Sequence, residues 1–169
     1  MDKTKVTKDF ENKTLIIERT FNAPRERVWE AYANPEKFAQ WWGPEGFETT
    51  VKEFSFVPGG KNHYGMKCVD ERQTEWFGQT SWGMMAFESV DRPNSFTYKD
   101  YFSDEAGTIK EDMPAMTITM DLVEEDGKTK LVSRGVVESK EQLEQLVNMG
   151  MIEGLTSTLD KLEAFVENK

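Results

Sequence analysis

The chain has 169 residues, a formal net charge of −10 and a single cysteine, Cys68. The excess of acidic side chains repels phosphate backbones and anionic lipid headgroups, so nucleic acid is not an expected partner. The lone cysteine rules out an internal disulfide, and no apolar run is long enough to span a bilayer. The sequence therefore predicts a cytoplasmic protein with no membrane insertion.

The first predicted elements are one strand and two short helices. Residues 15–21 are rich in β-branched and apolar side chains and form the predicted first strand. Asn22-Ala23-Pro24 then opens a short helix, and Asn34-Pro35-Glu36 opens a second helix that stops at Gly43-Pro44. Residues 1–13 are mostly polar and are expected to form a loosely held arm, which leaves residues 14–169 as one domain.

From Phe47 to about Val137 the sequence changes to short alternating segments separated by turn residues. Side chains alternate across a strand, so each segment has one apolar and one polar face. This pattern predicts antiparallel strands of one curved sheet with one buried face. The positions assigned to that face are Tyr64, Met66 and Cys68; Trp82, Met84 and Ala86; Phe96, Tyr98 and Phe102; and Met116, Ile118, Met120 and Leu122.

The last predicted element is one long amphipathic helix. Ser139 and Gln142 form a capping-box pattern at its start, and apolar residues recur every three or four positions to about Glu167. The whole sequence thus predicts an α+β fold in which a curved antiparallel sheet of about seven strands wraps around a C-terminal helix from about Lys140 to Glu167. Two short helices lie between the first and second strands.

Two glycines, Gly150 and Gly154, lie on one side of this predicted helix, where each costs roughly 1 kcal/mol relative to alanine. Close packing of the helix on the sheet and space for a ligand or a bend both explain them. Methionines at predicted inward positions ordinarily fill a core, and as a set they favour a deformable cavity. The predicted ligand-binding residues are Trp42, Tyr64, Met66, Trp82, Met84, Tyr98, Met116, Ile118, Met149, Gly150 and Gly154.

No catalytic set, metal site or cofactor site is predicted. His63 is the only histidine, and alternation with Tyr64 directs it outward, so a metal held by histidine or thiolate ligands is not expected. The sequence contains no Gly-x-Ser-x-Gly elbow and no phosphate-binding glycine loop. The one acid–base cluster to consider is Asp100 beside Tyr98 and Tyr101.

Four stretches of the sequence carry recognisable motifs: Glu18-Arg19-Thr20-Phe21-Asn22-Ala23-Pro24-Arg25-Glu26-Arg27-Val28-Trp29, Trp41-Trp42-Gly43-Pro44-Glu45-Gly46-Phe47, Pro58-Gly59-Gly60, and Met149-Gly150-Met151-Ile152-Glu153-Gly154-Leu155 followed by Leu159, Leu162 and Phe165. Together they make the chain similar to a known bacterial family, the one related to the C-terminal domain of the activator of the heat-shock-protein ATPase. The resemblance implies the helix-grip fold of the START and birch-pollen-allergen superfamily (SRPBCC). Leu155 stands where many relatives have tryptophan, and its smaller side chain would enlarge a cavity.

Three functions stay open, because that superfamily includes carriers, sensors, enzymes and co-chaperone domains. The leading hypothesis is that the protein binds or senses a small hydrophobic or aromatic molecule in a cavity between the sheet and the last helix. The second is a co-chaperone-like interaction domain whose partner is a chaperone. The third is an enzyme of the cyclase or dehydratase type that uses a tyrosine and an aspartate in the pocket.

Overall fold

The computed structural model describes residues 3–167, which form an open antiparallel sheet of eight strands and four helices. The strands lie side by side in the order β1-β2-β8-β7-β6-β5-β4-β3. This arrangement matches the predicted α+β helix-grip fold. The strands are β1 (Lys5–Asp9), β2 (Thr14–Phe21), β3 (Phe47–Phe54), β4 (Lys61–Cys68), β5 (Thr80–Asp91), β6 (Ser95–Ser103), β7 (Met116–Glu125) and β8 (Lys128–Val136); the helices are α1 (Arg25–Ala33), α2 (Pro35–Trp41), α3 (Lys140–Asn148) and α4 (Met151–Glu167).

Strand β1 comes from the segment that the sequence led us to expect as a loosely held arm. It pairs antiparallel with β2, from Lys5 opposite Glu18 to Asp9 opposite Thr14. The sheet therefore has one strand more than the predicted seven. The sequence signal is weak because an edge strand can be stabilised by backbone hydrogen bonds on one side while most of its side chains stay exposed.

Helices α1 and α2 confirm the two helix starts that were predicted from proline and asparagine. The Asn34 side chain accepts a hydrogen bond of 3.0 Å from the Lys37 backbone N–H and so caps α2. The buried Trp41 donates its indole N–H to the carbonyl of Ala31 at 3.0 Å, which fixes the two helices together. The chain then leaves α2 through Trp42, whose position is set by this packing.

The C-terminal helix is divided in two, where one continuous helix was expected. Helix α3 ends at Asn148, and Gly150 adopts a φ of 92°, a left-handed conformation that terminates a helix and favours glycine. The chain resumes as α4 at Met151. Gly150 is thus a helix-ending residue, whereas Gly154 lies inside α4. Within residues 3–167, no helix is both long and apolar enough to cross a bilayer.

Helix α4 packs on one face of the sheet, which we call the inner face. A charged anchor supports this packing: the buried guanidinium of Arg19 on β2 contacts Asp160 at 2.7 Å and Glu163 at 2.6 Å on α4. Glu163 consequently has its pKa lowered by the hydrogen bonds from Lys3 and Arg19. The apolar side chains buried between β2 and α4 are Leu15, Ile17, Phe21, Leu159, Leu162 and Val166.

Candidate ligand-binding cavity

A cavity of about 320 Å³ lies between the inner face of the sheet and the two C-terminal helices. Its helical wall includes Gly150, Gly154 and Leu159, beside the break between α3 and α4. A Cβ atom built on Gly154 would meet no atom within 4 Å, so the helix leaves open space at this position. The volume is within the range of about 300–1,000 Å³ that small-molecule sites occupy.

The structure brings together every predicted ligand-binding position except Met84. Met149 is 51% exposed and lies at the rim of the cavity, whereas Tyr64, Tyr98 and Met116 are buried. That these residues bind a ligand remains a prediction. The predicted positions that border the cavity are Trp42, Tyr64, Met66, Trp82, Tyr98, Met116, Ile118, Met149, Gly150 and Gly154.

Strand β5 faces the opposite way from the prediction, so Met84 does not reach the cavity. Gly83 is the inward position: a Cβ atom built there would lie 2.5 Å from the Tyr64 ring. The side chains of Trp82 and Met84 accordingly project to the outer face, where the Trp82 ring covers Gly65. Trp82 still borders the cavity, although its ring lies on the other side of the sheet.

The loop between β6 and β7 covers part of the apolar outer face of β5: a Cβ atom built on Gly107 of this loop would lie 3.6 Å from the Met84 side chain. His63 also lies under this loop: it points outward, as predicted, but only 4% of it is exposed. Its Nε2 is 3.0 Å from the carbonyl oxygen of Asp104, and its ring centroid is 5.2 Å from that of Trp82. Among residues 3–167, no group of three His, Cys, Asp or Glu side chains is placed to hold a metal.

Aromatic side chains fix the end of the cavity that lies next to α2. Trp42 stacks on Phe38 with ring centroids 4.8 Å apart, and its ring meets Tyr64 edge-to-face at 5.7 Å. Tyr98 stacks on Phe96 at 5.8 Å. Interactions of this kind hold each ring in a defined orientation. The cavity therefore has a preformed aromatic wall.

A hydrogen-bonded pair, Tyr64 and Asp100, adds a polar group to the lining of the cavity. The Tyr64 hydroxyl donates to Asp100 Oδ1 at 3.2 Å. Burial raises the pKa of Asp100 to about 7, although the hydrogen bond from Tyr64 acts in the opposite direction. Burial, with the Asp100 charge as a smaller cause, also raises the pKa values of Tyr64 and Tyr98.

The predicted acid–base cluster is thus only partly correct. Tyr98 lies on the inner face with Asp100, two residues away on β6, but Tyr101 projects outward, where Lys99 lies over its ring. The second tyrosine beside Asp100 is Tyr64 of β4, and not Tyr101. The hydrogen-bonded pair of Tyr64 and Asp100 is thus an acid–base group that borders the cavity.

Two glycines that shape the cavity were missed by the sequence reasoning. Gly83 leaves space for Tyr64, and Gly135 on β8 leaves space for Met116. Both interrupt strand patterns, which is the sequence signal that another group approaches the backbone closely. A glycine within a predicted strand was therefore the signal that could have identified both positions.

Comparisons with known proteins place the chain in a family. The family described as Activator of Hsp90 ATPase homolog 1-like protein matches residues 22–167. None of the curated proteins compared with the chain is similar to it in sequence. Several solved structures are similar over almost its whole length, and three of them illustrate the likeness.

A protein from Mycobacterium smegmatis is 33% identical, with 98% of each chain covered and a TM-score of 0.87. One from Staphylococcus epidermidis is 30% identical, with 96% of this chain and 93% of the other covered and a TM-score of 0.80. A third, from Arthrobacter aurescens, is 27% identical, with 98% and 92% covered and a TM-score of 0.88. The chain belongs to the family of Activator of Hsp90 ATPase homolog 1-like proteins.

Proposed function

We propose that this protein binds a small hydrophobic molecule in the cavity between its sheet and its C-terminal helices. The observation that carries the proposal is the cavity itself: about 320 Å³ of space inside a chain whose other inner-face positions are tightly packed. Side chains in a protein interior normally fill such space, because each unfilled void forfeits dispersion contacts. A retained cavity of this size is therefore consistent with a binding site.

The chemistry of the wall supports an apolar ligand. Methionines Met66, Met116 and Met120 border the cavity together with aliphatic and aromatic side chains. Burying about 200 Å² of apolar ligand surface contributes roughly 5 kcal/mol before the entropy of association is subtracted. A gross contribution of this size corresponds to a Kd no tighter than about 0.2 mM for a simple apolar compound. Thioether side chains can also adjust to ligands of different outline.

Binding of an uncharged apolar fluorophore tests the proposal directly. We expect N-phenyl-1-naphthylamine to bind with saturation and to increase in fluorescence. Gly154→Leu should abolish this signal, because the added side chain projects into the open space beside α4. Gly154→Ala is the matched control, since it makes the same backbone change while leaving most of the cavity empty, and it should still bind the fluorophore.

Two results would count against a ligand-binding function. One is the absence of saturable binding by the wild-type protein, and the other is equal binding by wild type and by Gly154→Leu. Native mass spectrometry of protein purified from its own host adds an independent measurement. A retained small molecule that is missing from the Gly154→Leu protein would identify the natural ligand class.

A second candidate function is interaction with a chaperone, and an exposed aromatic pair favours it. Trp76 and Phe77, neighbours in the loop between β4 and β5, are 51% and 50% exposed. Aromatic side chains contribute strongly to protein interfaces. Titration of the Hsp90 of the same organism with wild type and with a Trp76→Ser, Phe77→Ser double variant would test this role. Equal heats from both proteins would contradict it.

A further inference from the structure

We propose that the ligand of this cavity carries a protonated amine, which pairs with Asp100 while its apolar body occupies the rest of the cavity. This inference rests on the proposed binding function and specifies the ligand class. Among the described residues that border the cavity, Asp100 is the only one of the Asp, Glu, Lys, Arg and His types.

The hydrogen bonding around Asp100 suits its ionised form and leaves one oxygen free. Tyr64 donates to Oδ1, and within residues 3–167 no other hydrogen bond to this carboxyl group is present. Oδ2 is therefore free to accept a hydrogen bond from a ligand. An ammonium group is a donor as well as a counter-charge, so it satisfies this oxygen in both respects.

Within the part of the chain that the structure describes, the lining around Asp100 supplies polar and aromatic groups but no competing cation. Tyr64 faces Asp100 from β4, Tyr98 lies on the same strand, and Tyr32 of α1 faces Tyr98. The nearest residues across the neighbouring strands, Met85 and Met116, are apolar. A ligand cation at Oδ2 thus has tyrosine rings close by, whose faces attract positive charge.

Burial gives this pairing its energetic basis. A carboxylate in an apolar cavity lacks the solvation that water would provide, which is why the pKa of Asp100 is raised. A cation brought by the ligand stabilises the ionised carboxylate in a medium where charges attract strongly. A neutral apolar ligand would leave the carboxyl group without this partner. A ligand with its own carboxylate would repel Asp100 once Asp100 is ionised.

The experiment compares three probes that have the same apolar body: 4-phenylbutylamine, 4-phenylbutanol and 4-phenylbutanoate. Their affinities are measured by isothermal titration calorimetry at pH 5.5 and at pH 8. An alkylamine, with a pKa near that of lysine, about 10.4, stays protonated throughout this range. With the pKa of Asp100 at about 7, the ionised fraction rises by about 30-fold between the two pH values. We expect the affinity for the amine to rise by up to about the same factor.

Asp100→Asn is the decisive variant, because it keeps the shape of the side chain and removes its charge. It should reduce the affinity for the amine at pH 8 at least tenfold and abolish the pH dependence, while the alcohol binds as before. Asp121→Asn is the matched control: it makes the same change on the outer face of the sheet, beside the inward-facing Met120 and Leu122. It should leave all three affinities unchanged, and a thermal melt confirms that both variants fold.

The possible outcomes separate this inference from the function on which it rests. If the alcohol binds and the amine binds no more tightly at pH 8, the cavity is a hydrophobic site without an amine preference, and the inference is wrong. The same holds if amine affinity falls as the pH rises. If none of the three probes binds, the ligand-binding function fails as well. An amine preference that survives in Asp100→Asn would also overturn the assignment of Asp100.

Discussion

Replacing Asp100 by asparagine should stabilise the ligand-free protein at neutral and alkaline pH. The pKa of Asp100 is raised from 3.8 to about 7, so the folded protein holds this proton more tightly than the unfolded chain does. The contribution of Asp100 to stability is therefore most favourable below its pKa in the unfolded chain and is lost as the pH rises towards 7. Each pKa unit corresponds to about 1.4 kcal/mol, which gives a penalty of roughly 1 kcal/mol at pH 4.5 and roughly 4 kcal/mol at pH 8.

Urea denaturation at these two pH values measures the effect. The gain in unfolding free energy of Asp100→Asn over wild type should be larger at pH 8 than at pH 4.5 by about 3 kcal/mol. Because both proteins share all other titrating groups, the comparison isolates this one side chain. Asp121→Asn, which makes the same substitution on the outer face of the sheet, serves again as the control. A gain that does not change with pH would refute the reasoning that the pKa of Asp100 is raised in the folded protein.

Two further predictions concern the helices. Leu162→Ala should lower the unfolding free energy by about 3–5 kcal/mol, because Leu162 is fully buried in the core; a loss below 1 kcal/mol in urea denaturation would contradict this packing. Gly154→Ala should raise the unfolding free energy by about 0.5–1 kcal/mol, since alanine favours the helix and its Cβ meets no neighbour. A lower melting temperature than wild type would show that the position is more crowded than it is in the structure.

The fold was largely predictable because its signals are local. Proline and asparagine marked the starts of α1 and α2, and the alternation in β4, β6 and β7 gave the correct inner face for Tyr64, Tyr98 and Met116. The break at Gly150 was not predicted, because apolar periodicity continues through it from α3 to α4. Only the backbone conformation of the glycine shows that one helix ends there.

The lining of the cavity was harder to predict, because it depends on which face of each strand is covered by other parts of the chain. In β5 both faces are apolar, so alternation could not distinguish Met84 from Met85. The loop that covers Met84 and His63 comes from a distant part of the sequence, between β6 and β7. The pairing of Tyr64 with Asp100 likewise joins residues 36 positions apart. Contacts of this range follow from the order of the strands and not from the spacing of residues.

Gly83, which lies against the Tyr64 ring, allows a test of how the hydrogen bond between Tyr64 and Asp100 is held in place. In Gly83→Ala the new Cβ would lie 2.5 Å from the Tyr64 ring, which Phe38 and Trp42 contact from other directions at centroid distances of 6.0 and 5.7 Å. The ring must shift, and its hydroxyl then leaves Asp100. Because this hydrogen bond lowers the pKa of Asp100, its loss should raise that pKa above its wild-type value.

Carbon-detected NMR titration of the Asp100 carboxyl group measures this change. Tyr64→Phe removes the same donor directly, so both variants should titrate at a higher pH than wild type. Gly65→Ala is the control: it makes the same substitution on β4, but its Cβ would lie 2.6 Å from the Trp82 ring on the outer face of the sheet. It should leave the pKa of Asp100 unchanged. If Gly83→Ala titrates as wild type while Tyr64→Phe does not, Gly83 has no part in positioning Tyr64 against Asp100.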